Sequence, residues 1–98
     1  MNMREIQKMQ QRLVKMQAEL EASLFTGTAG GGAVTITMSG KFEITAVKID
    51  PEAFNAEDIA ELEVMVLAAA RAAHEKVSDA QQKMSSALTG GMNIPGLF

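Results

Sequence analysis

The sequence predicts an α+β chain of helix, sheet, helix order, and three observations carry that reading. Residues 6–20 repeat apolar side chains at helical spacing, residues 34–49 alternate in strand fashion around tight turns, and residues from 55 onward return to helical spacing behind a helix cap. Ninety-eight residues make one domain, 1–98, divided into an opening helix (1–24), a sheet (25–50), a long helix (55–89) and an apolar tail (90–98). A lone chain this short buries only a modest share of its apolar surface, so pairing would stabilise it.

The opening helix, expected from Asn2 to Leu24, carries two stripes. Ile6, Met9, Leu13, Met16 and Leu20 form a narrow apolar ridge, the shape of a seam between helices rather than the broad face of a globular core. Arg4, Lys8, Arg12 and Lys15 form a second ridge about a third of a turn away. Four of the nine cations of a chain with net charge -3 therefore lie on one side of one helix. The charge is polarised along the chain: residues 1–17 are +3, whereas Glu52, Glu57, Asp58, Glu61 and Glu63 make an acidic block of -5.

The β segment follows. Thr26 and Thr28 read as a short strand entering the turn at Gly30-Gly31-Gly32, and Val34, Ile36 and Met38 alternate with Thr35 and Thr37 as a strand with one buried face. Ser39-Gly40-Lys41 is a tight turn from which Phe42, Ile44 and Ala46 carry the pattern back. At Val47 the apolar phase slips by one residue, to Val47 and Ile49, which predicts a β-bulge there. Asp50-Pro51 ends the strand, because proline has no N–H to give a ladder.

Asn55 is a helix N-cap, and Glu57 and Asp58 in the first turn favour the positive end of the helix dipole. From Leu62 to Ala73 the long helix is apolar nearly all round, which predicts burial against the sheet and against a second copy through Leu62, Val66, Leu67, Ala69, Ala70 and Ala73. From His74 it narrows to Val77, Ala80, Met84 and Ala87 or Leu88, and Gly90-Gly91 ends it. The seams at 6–20 and 73–88 match in length, so the two ends of the chain are expected to form one antiparallel arm projecting from the base, zipped by Ile6, Met9, Leu13 and Met16 against Val77, Ala80 and Met84.

Several function classes are disfavoured. The chain has no cysteine, hence no disulfide framework or thiolate metal site. His74 is the only histidine and has no companion for a metal or for nucleophilic catalysis. The glycines at 30–32 lack the Gly-Lys-Ser/Thr order of a phosphate loop and lead into a strand, and Gly27-Thr28-Ala29-Gly30 lies in the wrong context for the clamp of a KH domain. The carboxylates at 57, 58, 61 and 63 read as helix capping and solvation. Met9, Met16, Met38 and Met84 read as seam and core packing. No apolar run approaches a membrane span and the N-terminus lacks the apolar stretch of a signal peptide, so no membrane association, no cofactor and a cytoplasmic location are expected.

The chain resembles the YbaB/EbfC family of small bacterial nucleoid-associated proteins. The resemblance rests on Met9-Gln10-Gln11-Arg12-Leu13-Val14-Lys15-Met16-Gln17, on Val34-Thr35-Ile36-Thr37-Met38-Ser39-Gly40, on Val47-Lys48-Ile49-Asp50-Pro51 and most specifically on Gly90-Gly91-Met92-Asn93-Ile94-Pro95-Gly96-Leu97-Phe98. It implies an α-β(3)-α fold with a three-stranded antiparallel sheet and a homodimer joined through its bases. Paired arms of that dimer would grip duplex DNA, without catalysis, in nucleoid organisation or gene expression. Arm contacts map onto Arg4, Lys8, Arg12 and Lys15 and, less directly, onto Lys76 and Lys83. Residues 74–88 are neutral in sum, a departure that puts most of the grip on the opening helix. Cations of this kind bind phosphates by counterion release, and with Gln7, Gln10, Gln11 and Gln17 as the nearby amides, DNA shape is the expected basis of preference rather than a strict base code. The alternative is an adaptor that holds a replication or repair protein through its arms or through Met92, Ile94, Leu97 and Phe98 of the tail.

Overall fold

The computed structural model describes residues 2–90, with side chains through Ala87. It has the helix, sheet, helix order: α1 (Met3–Ala22), β1 (Leu24–Ala29), β2 (Val34–Ser39), β3 (Ile44–Ile49), two short 3-10 turns and α2 (Ile59–Gly90). The strands form one antiparallel sheet in the order β1-β2-β3. The described chain is elongated, 66 × 26 × 16 Å.

Asn2 caps α1 rather than joining it, its side-chain oxygen accepting the Glu5 N–H at 2.9 Å. At the other end Ser23 alone separates Ala22 from Leu24, so Leu24 belongs to β1 and not to the helix. The Asn55 cap opens a 3-10 turn before α2, and the Asp58 carboxylate accepts the Asn55 N–H at 2.8 Å. Gly90 lies within α2, and Gly91 falls outside the described residues.

The expected bulge sits two residues earlier than Val47. Thr37 pairs with Ala46 and Met38 with Ile44, which leaves Thr45 as the extra residue. That residue resolves the phase slip: Ile44, Val47 and Ile49 lie opposite Met38, Ile36 and Val34 and point to the same side of the sheet. Phe42 is not a strand residue. It occupies the turn 39–43 with φ +65°, a left-handed conformation unfavourable for a side chain of its size.

Helix α2 crosses the sheet over β1 and β2. Val34, Ile36 and Met38 from β2 meet Ala69, Ala73 and Val77 from α2, and these six form the buried core. The helix can lie this close because Gly27 carries no side chain: a Cβ there would overlap the Ala69 carbonyl oxygen and the Ala73 nitrogen. Two sequence expectations are corrected here. Ala69 and Ala73 are fully buried inside the protomer, so neither offers a surface to a second copy. Val77 is equally buried on the sheet and is core rather than arm zipper.

One helix about 10 Å across covers two strands spaced about 4.8 Å apart and leaves the third bare. All six residues of β3 are exposed, with Ile44 at 54% and Val47 at 52%. On the adjoining helix, Leu62, Val66 and Ala70 are half-buried against the core, while Leu67 is 51% exposed.

Candidate nucleic-acid interface

The chain's direction at the turn 39–43 builds the arm. β1 starts at that end of the sheet with Leu24 opposite Ser39, so α1 arrives there from outside the base. Helix α2 starts at the opposite end, with Met65 near Gly30, passes Gly27 at Ala69 and Ala73, and reaches the turn at Gln81. Its remaining residues therefore run outward as α1 runs inward, and the two project antiparallel beyond the same edge.

The helices meet where Gln17, Leu20 and Glu21 share a cleft with Gly40, Gln81, Met84 and Ser85. Upstream of that junction α1 buries no residue. Ile6 and Leu13 remain 39% exposed, compared with 71% for Val14 on the outer face. The seam is thus the less exposed side of α1 but is not sealed. Because α2 spends residues through Val77 on the sheet, only its stretch from Gln81 lies beside α1. Of the 73–88 face, the part from Gln81 onward is about 12 Å long against about 22 Å for the 6–20 seam of α1, so the two seams do not match in length, contrary to the reading of 73–88 as one continuous arm face.

Arg4, Lys8, Arg12 and Lys15 are all exposed on α1. With about 100° per residue they share one side of the helix, distinct from the Ile6–Leu20 seam. They sit on a rod that projects from the base, where a long polyanion can lie along them. The other two cations separate: Lys83 lies beyond Gln81 in the arm, whereas Lys76 lies between Ala73 and Val77 over the sheet. Both are exposed.

The acidic block lies at the other pole. Asp50 follows β3 at the end of the sheet remote from the turn 39–43, and Glu57, Asp58, Glu61 and Glu63 follow in the 3-10 turn and the first turns of α2. The separation of sign read along the sequence becomes a separation in space. It leaves the arm as the part of the molecule open to a negatively charged partner. His74 is exposed, its ring 4.6 Å from that of Phe42 at an interplanar angle of 39°. Met92, Ile94, Leu97 and Phe98 of the apolar tail lie outside the described residues.

Gln81 carried no motif that marked it in the sequence, whereas Gly40 was marked only as a turn residue and Ile44, Val47 and Ile49 only as strand residues. The phase slip at Val47 was the one available signal for the last group.

A family model described as the YbaB/EbfC DNA-binding family matches residues 1–92. Among curated relatives, a nucleoid-associated protein of Clostridium kluyveri is 43% identical over 96 residues, spanning 98% of this chain and 84% of that protein. A nucleoid-associated protein of Pelotomaculum thermopropionicum is also 43% identical over 96 residues, spanning 98% of this chain and 91% of its own length. Among solved structures, an uncharacterized protein of Helicobacter pylori has a similar fold, with a TM-score of 0.66 at 18% identity over 82% of this chain and 93% of the other.

Proposed function

The chain belongs to the YbaB/EbfC DNA-binding family, and from that premise we propose a non-catalytic, nucleoid-associated homodimer whose arms hold the phosphates of duplex DNA. The observation that carries this reading is the exposed row Arg4, Lys8, Arg12 and Lys15 on a helix that projects from an acidic base. Each phosphate neutralised releases counterions and adds about 0.9 to the log-log salt slope. Lys83 extends the row to the second helix; Lys76 approaches DNA only if the duplex reaches the base. Relatives named as nucleoid-associated support a place on the bacterial chromosome, with an influence on its organisation or on local gene expression.

The second copy is assigned to the base. Ile44, Val47 and Ile49 are exposed on the sheet face that α2 covers only in part, and Leu67 is exposed on α2; a partner's α2 laid into the trough this leaves beside the helix would cover the bare strand. A twofold axis lets each protomer do this for the other. Leu62, Val66 and Ala70 contribute at the edge of this surface. Arg4, Lys8, Arg12, Lys15 and Lys83 then stand on an arm, Lys76 on the base, and each dimer holds two arms.

The test is a titration of duplex DNA at two salt concentrations, with the mass of the free protein measured alongside. Binding that weakens steeply with salt, by a dimer, supports the reading. Salt-independent binding, or none, overturns it.

A further inference from the structure

Helix α1 is tied to the base by a short connection. Ser23 is the single residue between Ala22 and Leu24, so two soft backbone dihedrals decide where a rod about 30 Å long points. A swing of about 20° at that link would move the tip by about 10 Å, enough to take a row of cations off a row of phosphates. Outward of the junction the seam does little to prevent this, since Ile6 and Leu13 are 39% exposed, so the angle is held at the junction, where Leu20 and Met84 are half-buried. Ser23 is itself held to α1, its N–H donating to the Leu20 carbonyl at 3.1 Å and its hydroxyl to the Glu19 carbonyl at 2.8 Å, and these bonds tie the link to the helix but not the helix to the base.

The turn 39–43 has the contacts to do so. Gly40 donates its N–H to the Ser23 carbonyl at 3.1 Å, at the foot of α1. Its own carbonyl accepts from Gln81 Nε2 of α2 at 2.8 Å, and Gln81 is half-buried there. One residue is thus bonded, through its two ends, to the link that follows α1 and to α2. Its Cα also abuts the last turn of α1, so that a Cβ at Gly40 would overlap the Leu20 carbonyl. The turn itself is braced by Ser39 N–H to Glu43 at 2.8 Å, and by Phe42, whose left-handed backbone places its ring against His74 of α2. An unfavourable φ at a bulky residue is retained only where surrounding contacts over-determine it.

We propose that Gly40 and Gln81 form the joint that sets the angle between arm and base, with Gln81 a positioning residue for the grip on DNA. Gln81 touches no nucleic acid in this scheme; it acts by holding the turn against α2 while the turn holds α1. The DNA consequence rests on the function proposed above, whereas the geometric consequence does not.

The experiment replaces Gln81 by Met, similar in length but without a donor, and separately by Glu, which cannot donate when ionised. Spin labels at Val14→Cys and Glu52→Cys of the same chain, diluted into unlabelled chain, report the distance from arm to base. The parent should give a narrow distribution, and both variants one at least about twice as broad, with DNA affinity about tenfold weaker if one hydrogen bond holds the angle. Gln81→Glu keeps the test open should Gln81→Met lose the fold. Variants whose distances superimpose on the parent's overturn the joint. A parent that fails to bind DNA removes the DNA reading instead, and broadened distances then still support the joint.

Discussion

Gly27 lies directly beneath Ala69, so strand β1 and helix α2 touch backbone to backbone at the centre of the base. Neither the strand nor the helix can retreat without opening the core formed by Val34, Ile36, Met38, Ala69, Ala73 and Val77. Gly27→Ala is therefore expected to destabilise the fold by about 3 kcal/mol, the upper range for overpacking a closed contact. Urea unfolding measures this, and a decrease under about 1 kcal/mol would show that the helix shifts freely.

The placement of Val77 in the core and not in the arm predicts an asymmetry between two valines. Val77→Ala removes two buried methyl groups and should cost about 2 kcal/mol, whereas Val14→Ala, on an exposed helix face, should change stability by less than about 0.5 kcal/mol. Equal effects would contradict the placement of Val77 on the sheet. Thermal melts of the two variants at matched concentration distinguish the cases.

Replacing Arg4, Lys8, Arg12 and Lys15 together by glutamine should leave the oligomeric state and helix content unchanged, because all four side chains are exposed. The log-log salt slope of DNA binding should fall by about 0.9 for each phosphate that is no longer neutralised. A gel-shift series over salt concentration reads this directly, and an unchanged slope would move the grip away from α1.

The bare third strand predicts where the second copy docks. Val47→Glu and Leu67→Glu each place a charge in the trough beside α2 and should weaken dimerisation at least about tenfold, since desolvating an unpaired carboxylate is costly. The same substitution at Thr35, on the opposite face of the sheet, should not. Light scattering over a dilution series measures the effect, and dimers insensitive to both trough substitutions would place the interface elsewhere.

How much of this was legible in the sequence depended on the range of the interaction involved. Asn55 and Asp50-Pro51 marked element boundaries to within a few residues, because caps and proline act within one turn of the chain. The period-two run from Val34 to Met38 identified β2 as a strand with one face buried, and only the pairing on both sides made it the central one. The bulge was legible as a slip but not as a position: the pattern changes at Val47, where its consequence is seen, and the extra residue is Thr45, where register against Thr37 and Met38 decides it. The apolar stretch from Leu62 to Ala73 was legible as buried, but not as buried against what, since alanines suit a sheet below as well as a second helix beside.

The sequence by itself determined the order of elements, the cations gathered on one side of α1 and the separation of basic and acidic ends, all properties of neighbours along the chain. Only the tertiary structure decided that Ala69, Ala73 and Val77 belong to the base, that β3 lies uncovered, and that Gly40 links α1 to α2 through Ser23 and Gln81. The physical reason is width and direction. A single helix covers two strands and no more, and the direction in which α2 crosses them sets which of its residues still reach the arm.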